Sequence, residues 1–477
     1  MFLIFFSSIL LALSFFSYKC SLFVFIGFVP LFFALQSRSR IKSFFISYLA
    51  GFLFYLGGLY WLYHVTAIGL IIISLYLAVY FGIFGLFFNY LARTPYPVSR
   101  CPCLAGRQVL PVTLNVVSIP LIWILLEYIQ SRLFTGFGWL LLGYSQYKNL
   151  HFIQIADLLG VCGVSFVIMA VNFAIYQLFK RSLKETIIII LVVFSIVSYG
   201  RIRLNQEFKK KDIAISVIQG NIPQELKWDP KATESIFEKY STLTKIAALD
   251  NTDLVVWPET SLPGFFRKNK DITDKVLGLA KKSNTPILIG ANTIKGNYEN
   301  FNSAILISEN GKVIGEYDKV HLVPFGEYVP FSKKIPALHD LVLGALGEFT
   351  PGLKYEIFTL GVSPVTRTLS PVPRSIKFAV LICFEDIFSG LARRFVKDGA
   401  EFLIVITNDG WYGNTPASFQ HAACSVFRAI ENRVSVVRCA NTGYSCFIDP
   451  HGRIYSDVRD KNTPLFITGH KTSIVKY

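Results

Sequence analysis

The chain has 477 residues, of which 52% are hydrophobic, 15% aromatic and 16% charged, with 47 Lys and Arg against 31 Asp and Glu. A soluble globular protein is about 25% charged, so this balance excludes a wholly soluble fold and points to membrane spans. The formal charge of +16 comes without an arginine-rich aromatic array, which speaks against nucleic acid and for anionic lipid headgroups beside the spans.

The apolar excess is uneven. Residues 1–200 hold 12 Lys and Arg and only three acids, Glu127, Asp157 and Glu185, whereas residues 201–477 hold 35 basic and 28 acidic residues. The chain opens on an apolar stretch, 2–16, with neither a basic leader nor an Ala-x-Ala cleavage site. This predicts a retained first span rather than a removable signal peptide. The residues before Cys20 lack the small side chains of a lipoprotein signal. Seven spans are predicted, over about 2–18, 21–36, 43–63, 67–92, 110–129, 154–179 and 185–200. Segment 133–147 is apolar and Gly-rich but too short to cross, and reads as a re-entrant or interfacial loop.

Loop charges set the orientation. With the N-terminus inside, the inner loops carry Arg38, Arg40, Lys42, Arg93, Arg100, Arg107, Lys180, Arg181 and Lys184, against Lys19, Arg132 and Lys148 outside. An odd number of spans then places everything after residue 200 outside the cytoplasm. Arg201, Arg203, Lys209, Lys210 and Lys211 run against this bias, which long translocated domains obey weakly. The eight cysteines show no zinc spacing, and Cys101 and Cys103 are too close together for a zinc knuckle. Cys424, Cys439 and Cys446 are free to pair in an oxidising compartment, and spacing alone assigns no pairing.

From about residue 212 short β-branched runs alternate with helical stretches. Strands are predicted at 213–219, 253–257, 286–290, 303–308, 378–383, 402–407, 434–439 and 444–448, and helices at 231–249, 271–283 and 416–431. This is an α/β domain with covered sheets, in which chemistry sits just past strand ends. Three segments near such ends carry reactive groups. Trp257, Pro258 and Glu259 follow a buried strand, where a rigidly held carboxylate is placed for base work. Lys319 and His321 lie in the run 317–327. Cys383 ends the strand 378–383, where a fixed turn exposes a nucleophilic sulfur. Singly, each has a plainer reading: a turn, a surface lysine, a packed histidine, an inert buried thiol. The order strand–Glu, Lys, strand–Cys within one α/β domain is what singles them out.

Those segments resemble the carbon–nitrogen hydrolase (nitrilase) superfamily, and more narrowly the apolipoprotein N-acyltransferases. The narrower likeness rests on residues 318–327, 219–224, 227–230, 407–413 and 428–433, and in the first half on 134–139 and 143–146. The resemblance implies a multi-span α-helical membrane domain (1–200), a nitrilase-like αββα sandwich (212–468) and a C-terminal tail (469–477). Glu259 would be the general base, Lys319 the oxyanion stabiliser and Cys383 the nucleophile. Glu327 and Glu385 fall on the family's additional active-site glutamates, and Trp228 on a tryptophan over the lipid entrance. Phe137, Trp139, Tyr144, Phe265 and Phe266 are expected near that entrance or as anchoring and core residues. Phe384 departs from the family's usual Tyr, and 469–477 is too short for the eighth span that follows the catalytic domain in the family.

The implied reaction passes an acyl chain from a phospholipid through a Cys383 thioester to the amino group of a diacylglyceryl-modified cysteine at the N-terminus of an apolipoprotein, and it implies no metal or organic cofactor. It implies a bacterial inner membrane with the catalytic domain on the periplasmic side. The rival reading is a membrane-tethered amidase acting on small amides, which would share Glu259, Lys319 and Cys383.

Overall fold

The computed structural model describes residues 1–93, 111–180, 183–208, 211–296, 299–329, 348–362, 374–461 and 463–477. Cys101, Cys103, Arg100, Arg107, Arg181, Lys209 and Lys210 lie outside the described residues. The chain divides into two compact units, residues 1–206 with 415–423, and residues 207–414 with 424–477.

The first unit is helical: α1 (Phe2–Leu13), α2 (Val29–Leu35), α3 (Arg40–Gly58), α4 (Ala67–Arg93), α5 (Pro111–Gln130), α6 (Leu150–Ile153), α7 (Ala156–Phe179) and α8 (Leu183–Leu204). Each of the seven expected apolar segments falls on one or more of these helices. Among the described residues five stretches, Tyr18–Leu35, Arg40–Gly58, Ala67–Leu91, Ala156–Phe179 and Thr186–Leu204, are long and apolar enough to cross a membrane, whereas Phe2–Leu13 and Asn115–Gln130 are apolar but shorter. Their apolar residues point both inward and outward: Phe45, Ile68, Leu158 and Phe194 are exposed, as suits helices whose solvent is lipid. Inside, Phe28 meets Phe81 and Trp123 at ring distances of 5.7 and 4.7 Å. The one acid of α5, Glu127, is 3% exposed and accepts from Trp123 Nε1 at 3.0 Å and the Leu142 N–H at 2.8 Å. Those donors offset the cost of burying it.

The second unit is a two-sheet sandwich. Its strands are β1 (Asp212–Gln219), β2 (Leu254–Val256), β3 (Phe265–Phe266), β4 (Ile287–Lys295), β5 (Glu299–Ile307), β6 (Val313–Asp318), β7 (Phe358–Val362), β8 (Arg374–Ile382), β9 (Phe402–Thr407), β10 (Val436–Ala440), β11 (Cys446–Ile448), β12 (Ile454–Asp457) and β13 (Gly469–Lys476). One sheet runs β13-β1-β2-β4-β5-β6, with β3 beside β4, and the other runs β12-β11-β10-β9-β8-β7. The β1–β2, β2–β4, β3–β4, β8–β9 and β9–β10 pairings are parallel and the others antiparallel. Central strands therefore read as unbroken apolar runs rather than alternating ones, as in Phe402–Thr407, buried throughout.

Helices α9 (Thr233–Ala248) and α10 (Lys270–Ser283) bury one face each against the first sheet, in a cluster with Ile236, Phe237, Tyr240, Val276 and Leu279. On the other sheet, α11 (Ser389–Lys397) packs against β8, and the part of α12 (Ala417–Asn432) from Cys424 onward reaches β10 through Ser425 and Arg438. The sheets meet where the Cys439 thiol of β10 donates to the carbonyls of Ile218 and Val256, at 3.3 and 3.2 Å. Cys424, Cys439 and Cys446 are buried free thiols.

Residues 469–477, expected as a tail, largely form a sheet strand instead. Residue by residue, β13 pairs with β1 from Asp212↔Lys476 to Gln219↔Gly469. The apolar β1 would otherwise present an open edge, which sheets avoid.

Candidate active site

In the second unit the C-terminal ends of strands from both sheets bring the reactive groups together. Trp257, just past β2, is fully buried, donates its indole N–H to Thr244 Oγ1 at 2.8 Å and stacks on Tyr240 at 4.8 Å. This anchors the turn that carries Glu259. Gly290 of β4 passes so close beneath that a Cβ there would sit 2.5 Å from the Pro258 carbonyl oxygen and 2.6 Å from Glu259 Cα. Only glycine permits that approach.

The Glu259 carboxylate, 6% exposed, accepts on Oε1 from Asn302 Nδ2 at 2.8 Å and Lys319 Nζ at 3.5 Å, and on Oε2 from the Asn408 main-chain N–H at 2.9 Å. Lys319 follows β6 and is 1% exposed, with Nζ 2.9 Å from Glu327 Oε1. Glu327 also accepts from Asn302 Nδ2 at 2.9 Å and the Val323 N–H at 2.8 Å. Burial works against the Lys319 ammonium, but Glu327 and Glu259 outweigh it and hold its pKa above the ordinary lysine value. The ammonium is thus a fixed positive charge at neutral pH.

Cys383 sits directly after β8 at φ 52, a left-handed conformation costing about 1–3 kcal/mol that surrounding structure must hold. Its thiol is buried, with Glu259, Lys319 and Asp409 in electrostatic reach and a hydrogen bond to the Thr407 side chain. Burial, then the Glu259 charge, push its pKa above the ordinary thiol value, and Lys319 and Thr407 oppose this. The resting sulfur is therefore a thiol, and attack requires a base that removes its proton.

Glu385 braces this turn. Fully buried, it accepts on Oε1 from Tyr317 Oη and the main-chain N–H groups of Val320 and His321, at 2.8, 2.8 and 3.1 Å, and on Oε2 from the Ile382 N–H at 2.8 Å. One side chain so ties the Lys319 loop to the Cys383 turn. Burial pushes the Glu385 pKa up to about 7 against the pull of the Ile382 hydrogen bond and the Lys319 charge.

Behind the sulfur, Thr407 donates to Asp409 Oδ1 at 2.9 Å. Arg438 reaches Asp409 and Asp386 at 3.0 and 3.1 Å, all three fully buried. Phe384 is buried and packs edge-on to Phe388 at 5.3 Å, and His321 stacks on Phe388 at 4.4 Å.

The structure thus gathers Glu259, Lys319, Cys383, Glu327 and Glu385, and adds Asn302 and Asn408. Asn408 directly follows β9, the same placement past a strand end as Cys383, and that placement was its signal. Trp228 ends a 3-10 turn, Gln224–Trp228, with its indole N–H buried and lacking a partner among the described residues. Phe266 lies in the apolar core and Phe265 is half-buried on β3. Trp139, expected near an entrance, is packed inside the first unit: it is 2% exposed, and its Nε1 donates to Gln420 Oε1 at 3.0 Å. Tyr144 is buried too and borders a cavity of about 230 Å³ in that unit with Phe15, Phe16, Leu140, Lys148 and Phe419. No group of three or more His, Cys, Asp or Glu suited to a metal ion occurs among the described residues.

Comparison with known proteins agrees with this architecture. Residues 7–174 match the family described as apolipoprotein N-acyltransferase N-terminal domain, and residues 214–469 match carbon-nitrogen hydrolase. The apolipoprotein N-acyltransferase of Geobacter metallireducens is 36% identical over 96% of this chain and 86% of its own length. That of Chlorobaculum tepidum is 30% identical over 91% and 83%. Among solved structures, a mutant of the Nesterenkonia AN1 amidase from the nitrilase superfamily aligns over 57% of this chain and 92% of its own with 16% identity and a TM-score of 0.40. An apolar helical unit followed by a two-sheet hydrolase unit, matched over most of the chain by relatives of one kind, identifies the chain as a member of the apolipoprotein N-acyltransferase family.

Proposed function

We propose that this protein N-acylates lipoproteins at a bacterial inner membrane, with a phospholipid as acyl donor and a diacylglyceryl-modified N-terminal cysteine as acceptor. The reading rests on family membership and on one geometric observation: a buried strand-end cysteine in electrostatic reach of a carboxylate and an ammonium that are themselves 3.5 Å apart.

Glu259 takes the proton from the Cys383 thiol, and the sulfur attacks the ester carbonyl of a phospholipid acyl chain. Negative charge then develops on the carbonyl oxygen. Lys319 and a main-chain N–H near Phe384 stabilise it, an effect of about 3–4 kcal/mol for one well-placed donor in comparable sites. The C–O bond breaks, the proton held by Glu259 passes to the leaving alkoxide, and a lysophospholipid departs from a Cys383 thioester. The acceptor amine next attacks that thioester. Glu259 receives the amine proton, and the sulfur leaves as the new amide forms and is reprotonated. This is two-step, ping-pong chemistry that needs only the chain's own groups.

The apolar helices give the reaction its setting. Drawing an acyl chain into water costs about 0.8 kcal/mol per methylene, and a site held at the bilayer avoids this. The loop-charge bias supports a periplasmic catalytic domain.

The test is complementation of a bacterium depleted of its own N-acyltransferase, scored by the N-terminal acyl state of a lipoprotein. The wild-type chain should restore N-acylation, and Cys383→Ser, Glu259→Gln and Lys319→Ala should each lower it about 10²-fold or more, the usual scale for loss of a general base or oxyanion donor. Wild-type turnover by any of these variants would remove the role assigned to that residue.

A further inference from the structure

The turn Gln224–Trp228 carries a second buried amine beside the reacting groups. Lys227 is 6% exposed, and its Nζ donates to the main-chain carbonyls of Glu259 at 3.3 Å and Thr260 at 3.2 Å. Thr260 has φ 49, a conformation that a β-branched residue rarely adopts. The turn bearing Glu259 is therefore held in place by its surroundings, and Lys227 caps both of its carbonyls.

The same segment reaches the Glu259 carboxylate by a second route. Gln224 Oε1 accepts from Asn408 Nδ2 at 2.7 Å, and the Asn408 main-chain N–H donates to Glu259 Oε2 at 2.9 Å. The segment is anchored upstream, where the Asn221 N–H donates to the Asn441 carbonyl at 2.8 Å. The Asn441 side chain also bonds both the N–H and the carbonyl of Ile222, at 3.0 and 2.8 Å. It thus grips Glu259 from its main chain and from its carboxylate. An enclosed ammonium is costly to desolvate unless nearby charge offsets it, and Glu259 and Cys383 are in electrostatic reach.

We propose that Lys227 is a positioning residue for the acyl-transfer reaction, locking the Glu259–Thr260 turn and adding a second positive charge beside the Cys383 sulfur as it ionises. The inference rests on the assignment of Glu259 and Cys383 as base and nucleophile. Burial lowers the Lys227 amine to about 7, with Glu259 and then Cys383 drawing it back up. The negative charge that proton transfer moves from Glu259 to Cys383 therefore stays in electrostatic reach of this amine. Cys383 is faced by Glu259 from the turn after β2, Lys319 from the end of β6, Asp409 from the end of β9, Tyr412 beyond it, and Lys227.

The test uses the full chain in detergent and the rate of Cys383 alkylation by iodoacetamide against pH, followed by mass spectrometry of the Cys383 peptide. Iodoacetamide is small and neutral, so the readout needs no lipid. Lys227→Met should slow alkylation at neutral pH by about tenfold and move the profile to higher pH by about one unit, which is the same tenfold change in thiolate. Lys227→Arg should recover most of the rate, and in acyl transfer Lys227→Met should lower kcat with KM for phospholipid unchanged. A folded Lys227→Met protein that follows the wild-type alkylation profile would overturn the proposal. If that variant fails to fold, Lys227→Gln, which keeps a donor to the same carbonyls without charge, decides it. A shifted profile supports the charge, and a wild-type profile contradicts it. If Lys227→Met shifts alkylation but the wild-type chain never transfers an acyl chain, the acyltransferase reading falls while the role of Lys227 stands.

Discussion

At Glu385 four donors converge on one carboxylate that has no access to water. Its pKa, pushed by burial up to about 7, lies above the value near 4.3 that glutamate has in an unfolded chain. The folded state therefore binds the extra proton between those values. Glu385 contributes stability that is fully present below about 4 and is lost as pH rises through about 7. The melting midpoint of the detergent-solubilised wild-type chain should fall from about pH 5 to about pH 8, and Glu385→Gln should flatten that fall. Equal pH slopes in the two proteins would refute the assignment. Glu259 and Cys383 were readable because each stands at the end of an expected strand, and Lys319 because it lies in a distinctive local run, 317–327. Asn302 and Lys227 were not. An asparagine inside a strand carries no local signature, and Lys227, although it opens the run 227–230, gets no role from that run; both meet Glu259 only when β5 and the turn Gln224–Trp228 close on it.

Among the elements, the approach of β4 to the Glu259 turn is the most exacting contact. The Gly290 carbonyl accepts from Ser261 N–H at 2.9 Å and Ser261 Oγ at 3.0 Å, so strand and turn are pinned where a Cβ would collide with backbone. Gly290→Ala should displace Glu259 and cut acyl transfer by about 10²-fold, the penalty of misplacing a reacting group by roughly an ångström. Activity near wild type, measured on membranes with equal protein, would show that the turn yields without consequence. The eight predicted strands all appear, with boundaries shifted by a few residues, because their apolar runs are long enough to stand out. β3, β6, β7, β12 and β13 escaped the sequence reading. β3 is two residues long, β6 and β12 are partly exposed and broken by polar residues, and β13 alternates so weakly that only its pairing with β1 defines it. Helix α11 was missed for a similar reason: at nine residues it is short, although strongly amphipathic in its packing of Leu391, Ala392 and Phe395.

For the molecule as a whole, function depends on which side of the bilayer the hydrolase unit occupies. The proposed periplasmic placement rests on nine inner-loop against three outer-loop cations, with Arg201, Arg203, Lys209, Lys210 and Lys211 running against it. Cysteines introduced singly at exposed positions of the second unit, such as Leu249 and Leu353, should react with a membrane-impermeant maleimide in spheroplasts. Labelling only after the membrane is opened would reverse the orientation. In the proposed reaction Cys383 holds an acyl chain between donor and acceptor. Purified protein incubated with a phospholipid of known chains should show, on the Cys383 peptide, the mass of one of those chains in hydroxylamine-sensitive linkage. Addition of a diacylglyceryl lipopeptide should clear it into an N-acylated product faster than water does. An unmodified Cys383, or an acyl group released to water at the same rate with or without the lipopeptide, would contradict the account.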